Sequence, residues 1–202
     1  MINTLRKMLL VACLAAPSVL PAQVSLVSKG KAQARIVLAQ ENDVNRKAAQ
    51  LLQRFVRETS GGELPIVANG RRSKNCVVIG ESTTEATDDG YVIDCSRGTL
   101  AIKTAGGKGA IYGVAALLEK QLGVDYLAKD FYTLTPSADV RIPQMHLAES
   151  PAFRFRQTFS YSNNDSTYRD WMRLQEHREM FAADMWVHTF DRLLPSSVYG
   201  KS

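Results

Sequence analysis

Histidine and cysteine are scarce in this 202-residue chain, with three of each, and the scarcity narrows the chemistry. His146, His177 and His188 do not form a metal-binding pattern. His177-Arg178-Glu179 lacks the His-Glu-x-x-His spacing that sets two zinc ligands on one face of a helix, so no metal site is expected. A Gly-x-Ser-x-Gly elbow for a serine nucleophile is also missing. The run Gly106-Gly107-Lys108-Gly109 has neither the Gly-Lys-Ser/Thr ending of a phosphate loop nor the dinucleotide fingerprint with its acidic partner. Its glycines are read as serving backbone geometry at a strand-to-helix turn, and no cofactor is expected. Repeats and low-complexity segments are absent, and beyond the first residues no apolar run is long enough to cross a bilayer.

What is present at the start is a leader. Met1 to Lys7 is short and cationic, Met8 to Leu20 is apolar, and Pro21-Ala22 supplies small residues. That order marks a secretory signal peptide over residues 1–22, predicting export to the periplasm or the extracellular space. Leu10-Val11-Ala12-Cys13 offers a second reading, a lipoprotein box with Cys13 acylated. Removing the leader takes Arg6 and Lys7 with it and lowers the formal charge from +5 to +3. The remaining cations are scattered among acids, which argues against a nucleic-acid partner. Cys76 and Cys95 stay in the mature chain. An oxidising compartment permits a bridge between them, and antiparallel pairing with Gly80 opposite Tyr91 would set them face to face; two buried free thiols are the other reading.

Between residues 23 and 148 the pattern predicts an α+β domain: a mixed β-sheet with two long helices packed on it. Ala34 to Ala39 reads as a strand, and Asn42 or Asp43 then caps a helix with Ala48, Leu51, Leu52, Phe55 and Val56 on its apolar side. Ser60-Gly61-Gly62 ends that helix, and Leu64 to Ala68 is a further strand. Cys76 to Gly80 is a continuous apolar run suited to a central strand. Gly90 to Cys95 and Thr99 to Lys103 form a hairpin around Arg97-Gly98. After the glycines, Ile111, Val114, Ala115, Leu118 and Leu122 mark the second helix, which Gly123 closes. Phe131 to Leu134 and Val140 to Ile142 read as short strands.

Residues 149–202 predict something different. Phe153, Phe155, Gln157 and Phe159 alternate with Arg154, Arg156 and Thr158 as in a strand. Tyr168 to Phe181 reads as a helix and Met185 to Phe190 as a second strand, the opening of an incomplete β/α barrel. Two such strands bury too little to stand alone, so the chain is read as a fragment of a longer protein or a truncated gene product. Arg156 is expected to point into the barrel mouth, where its planar fork would pair with carboxylates or a uronic acid, or else to make an internal salt bridge. His188, late on its strand, is expected to hydrogen-bond a sugar hydroxyl or to satisfy a core neighbour. Glu176 and Glu179 share a helix surface and read as solvated instead of as a catalytic pair.

Three stretches carry a resemblance. Leu51 to Pro65 resembles the helix, Thr-Ser-Gly-Gly and Leu-Pro passage of the amino-terminal domain shared by family 67 α-glucuronidases and family 20 β-hexosaminidases. Leu100 to Gly123 looks like that domain's second helix with its preceding glycines. Ser150 to Arg156 and Trp186 to Phe190 are similar to the barrel start in related secreted proteins of polysaccharide-degrading bacteria. The resemblance implies an accessory domain beside a barrel, on which the catalytic residues sit later than this chain reaches. It implies a polysaccharide or oligosaccharide substrate, the remainder of a β/α barrel as structural partner, and an α-glucuronidase-like parent that needs no cofactor. The alternative is a non-catalytic glycan-binding or scaffold protein of the envelope.

Overall fold

The computed structural model describes residues 23–68, 70–158, 160–175 and 193–200. The leader, His188, the strand expected over Met185 to Phe190, and Glu176 and Glu179 lie outside those residues.

The main sheet grows from two kinds of strand. β3 (Arg35–Leu38), β4 (Ile66–Ala68), β5 (Cys76–Ser82) and β7 (Thr99–Thr104) run parallel, β6 (Tyr91–Ser96) runs against them, and β11 (Met145–Glu149) pairs antiparallel with β6 at the edge, in the order β11-β6-β7-β5-β3-β4. Continuous apolar runs such as Cys76-Val77-Val78-Ile79 belong to a strand covered on both faces, and these residues are buried. Two smaller pieces flank the sheet. One joins β10 (Val140–Ile142), β1 (Val24–Ser28) and β2 (Lys31–Ala32), and the other pairs β8 (Asp125–Ala128) with β9 (Phe131–Thr133).

Helix α1 (Asp43–Ser60) starts where Asn42 accepts a hydrogen bond from the Asn45 N–H, and Gly61 ends it in the left-handed region at φ 77°. Its inner face brings Ala48, Leu52, Phe55 and Val56 onto the sheet. Helix α2 (Gly109–Leu117), continued by a π turn over Leu118–Leu122, is buried all round, not along a single stripe. Such a helix must approach the sheet closely. A Cβ on Gly109 would lie 2.2 Å from the carbonyl oxygen of Gly90, so only glycine fits there.

The expected α+β architecture is therefore present. Both helices, the central strand and the Arg97-Gly98 hairpin stand where the pattern placed them. β1, β2, β8 and β11 were not foreseen. The pairing offered for the cysteines is corrected: β7 lies between β5 and β6, so Cys76 sits opposite Arg35 and Thr99, and Cys95 opposite Leu100 and Met145. The tight hairpin makes β6 and β7 neighbours, and β5 takes the other side of β7. Both thiols are buried and free, and burial holds the Cys95 thiol above its ordinary pKa.

The strand expected from Phe153 to Phe159 is also corrected. The described residues there form no strand, and Phe153 is 74 % exposed. Alternation alone does not make a strand. Its backbone groups need a neighbour to pair with, and no strand among the described residues runs alongside. A short helix, α3 (Ser166–Trp171), overlaps the start of the predicted helix and begins two residues earlier, where Asp165 accepts from the Tyr168 N–H.

Candidate functional site

The polar chemistry gathers where residues 151–175 fold back over the α+β core. Asp89, in the left-handed region at φ 60°, ends the loop before β6. Its Oδ1 accepts the backbone N–H of Lys108 at 2.8 Å, at the start of α2, where an acid complements the helix dipole. Its Oδ2 accepts from Nη2 of Arg156 at 2.6 Å. The rest of the Arg156 fork is committed too. Nε donates to the Arg173 carbonyl at 2.8 Å, and Nη1 donates to the Phe153 carbonyl at 2.8 Å and the Arg154 carbonyl at 3.3 Å.

Beside this pair, Asp170 is 3 % exposed, and its carboxylate is shared by Lys47 and by Lys108 at 3.3 Å. Between the acids lies Tyr112, buried, with the Arg156 guanidinium carbon 5.9 Å from its ring centroid. Its hydroxyl has no hydrogen-bond partner among the described residues. Burial, and after it the Asp89 charge, hold the Tyr112 phenol well above its ordinary pKa.

Aromatic packing completes the clasp. Trp171 enters a box built by Phe55, 5.3 Å away edge to face, and Tyr126, stacked at 5.4 Å. Arg173 forks onto Glu119 at 2.8 and 3.1 Å. Nearby, Glu149 accepts from the Tyr91 hydroxyl and from Lys120 at 2.7 Å. Burial works against ionisation of Glu149, but these two donors outweigh it and hold its carboxyl below the usual range.

Of the two roles expected for Arg156, a barrel-mouth contact or an internal salt bridge, the structure displays the salt bridge, to Asp89. A fork with these four acceptors has little left for a substrate carboxylate. Asp89, Asp170 and Tyr112 escaped the sequence reading. The acids sit in ordinary polar stretches and become partners only when the chain returns. Asp89 and Asp170 are both neutralised by cations and enclosed, unlike a glycosidase pair set across an open cleft. Among the described residues, no group of three His, Cys, Asp or Glu side chains is arranged to hold a metal. No described helix is long and apolar enough to cross a membrane.

Helices on one face of a mixed sheet, with its buried acids tied up internally, define an α+β module. The family model for glycosyl hydrolase family 20, domain 2, matches residues 17–123, and the chain belongs to that family. Its fold is similar to part of the family 20 β-N-acetylhexosaminidase of Streptomyces coelicolor, at 16% identity and a TM-score of 0.50, covering 67% of this chain and 25% of that one. A mutant Streptomyces plicatus β-hexosaminidase in complex with its product GlcNAc matches at 15% identity and a TM-score of 0.48, with the same coverage. A family GH115 4-O-methyl-α-glucuronidase with specificity for decorated arabinogalactans matches at 13% identity and 0.45, over 66% of this chain and 19% of that one. The chain spans a quarter of the length of the hexosaminidases it resembles, and the likeness is one of fold. No curated protein matches the sequence.

Proposed function

We infer that this chain is the accessory, non-catalytic module of an exported glycoside hydrolase that acts on polysaccharide or oligosaccharide, and that a catalytic β/α barrel follows the clasp. Membership of the family 20 domain 2 group across more than half of the sequence carries this reading. The clasp gives the module a mechanical role. Arg156, Asp170, Trp171 and Arg173 pin residues 151–175 to the core by ionic and aromatic contacts, the segment from which a barrel would continue in this reading. Residues 151–175, assigned by their pattern to the start of the barrel, are then the part of the chain that ties it to the module. Within this reading Arg156 is a strut, and His188 keeps the role of a sugar contact.

The finer assignment is to α-glucuronidase-like chemistry, supported by the sequence resemblance, as against hexosaminidase chemistry. Expressing this chain alone and together with its downstream coding sequence, then assaying a chromogenic β-N-acetylglucosaminide and a chromogenic α-glucuronide, separates the cases. Turnover is expected only from the longer product, and the substrate that reacts identifies the branch. Turnover by residues 1–202 alone would overturn the accessory reading. A longer product that binds polysaccharide and hydrolyses nothing would establish the envelope scaffold instead.

A further inference from the structure

A second polar place lies on the opposite side of the glycine turn, at the carboxyl ends of the parallel strands. β3, β5 and β7 stop there, and α1 and α2 begin. The crevice is half open to solvent and offers about 290 Å³, at the small end of ligand pockets, with room for one sugar ring.

Its shape depends on a bulge in β5. The register against β7 slips between Ile79 and Glu81, and Gly80 at the slip has φ 89°. A Cβ there would overlap the Asn45 amide, 2.1 Å away, so the glycine admits Asn45 and spreads the strand ends. Asn45 is fixed by donating to the Gln40 carbonyl at 2.9 Å.

The lining has hydrogen-bonding capacity without charge. Gln40, Asn42, Ser82, Thr83 and Thr104 bring amides and hydroxyls, and Val44 and Ala105 add apolar surface. Thr104 is engaged with Gly106, and Asn42 Oδ1 with the Asn45 N–H. The Gln40 amide, the Asn42 Nδ2 and the Ser82 hydroxyl make no hydrogen bond within the described residues. No lining side chain is ionised, and Glu41 and Asp43 flank Asn42 in sequence, which disfavours an anion despite the helix termini. Uncharged donors and acceptors beside small apolar surfaces match a pyranose, whose hydroxyls and C–H faces need both.

We propose that this crevice is a non-catalytic binding site for a single neutral sugar residue. It lies in the accessory module itself and does not depend on any barrel. The test is a titration of the ¹⁵N-labelled chain with glucose, N-acetylglucosamine, glucuronate and inorganic phosphate, following the backbone amides. Saturable shifts at Val44, Ser82 and Ala105 are expected with the neutral sugars. Ser82→Tyr should abolish them, and Gln40→Ala, on an exposed loop, should weaken binding about two- to tenfold, the worth of one neutral hydrogen bond, with an unchanged melting temperature. Absence of shifts at these amides, undiminished shifts in both variants, or equal shifts with phosphate and glucuronate would overturn the proposal. Because nothing is hydrolysed in this experiment, its failure leaves the reading of the whole enzyme untouched.

Discussion

Residues 24–149 and residues 151–175 are held by different forces. The first region is a layered core in which Ile36, Val77, Ile79, Ile102, Leu52 and Leu118 are all at 2 % exposure or below, and burial of apolar surface accounts for most of its stability. The second has no strand among its described residues and one large buried side chain, Trp171; Tyr168 packs beside it, partly buried against the core, and ion pairs from Arg156, Asp170 and Arg173 add to the attachment. A core assembled by periodic apolar residues tolerates errors in any single contact. A strap held by a few ion pairs and a small aromatic contact has less to spare.

That contrast can be broken most severely inside the core. Gly80→Val combines a β-branched residue at φ 89° with a clash against Asn45, and should cost about 4–5 kcal/mol in urea unfolding and lower the yield of folded protein. Trp171→Ala should cost about 3–4 kcal/mol through the emptied aromatic box. Its damage should be local, with limited proteolysis cutting near residue 160 while the sheet survives. Equal protease resistance to wild type would mean the strap is held elsewhere.

Arg156→Ala leaves Asp89 enclosed without its counter-charge and should cost about 2–3 kcal/mol, read as a lower melting temperature. Binding of polysaccharide by the complete protein should be unchanged; weakened binding would restore Arg156 as a sugar ligand. Arg156→Lys should recover only part of the stability, because lysine keeps the charge and loses the fork.

The pH dependence sharpens the same division. Tyr91 and Tyr112 are both raised, burial being the larger cause in each, so the unfolded chain gives up these protons first. Their contribution is complete below the ordinary tyrosine value of 10.0 and is lost as pH rises past it toward the folded values, which predicts alkaline unfolding monitored by circular dichroism. Glu149 is shifted the other way. Its contribution is complete above 4.5 and fades as pH falls through the lowered folded value, loosening β11 against the π turn first. The smallest effect belongs to Asn42→Ala, about 1 kcal/mol from the lost cap of α1.

Periodicity made most of the core legible. The spacing from Ala48 to Val56 can only describe a helix with one buried face, and the Asn42 and Gly61 signals bound it to within a residue or two. The strands that escaped are short or mixed. Met145–Glu149 alternates half-buried and exposed positions at a sheet edge, which reads as loop until β6 is seen beside it. The polar clasp was legible only as isolated charges. Nothing in the sequence links Asp89 to Arg156 across 67 positions, or Lys47 to Asp170 across 123.

By itself, then, the sequence determined the elements with strong local signatures: two helices, the apolar strand runs, the Arg97-Gly98 turn and the glycine-bounded start of α2. These follow from backbone preferences and burial patterns that act over a few residues. Only the tertiary structure decided that β7 separates the two cysteine strands, that residues 151–175 return to the core, and that Arg156 meets Asp89. Long-range pairing depends on where the chain comes back, and an arginine carries the same fork whether its acid is its own domain's or a sugar's.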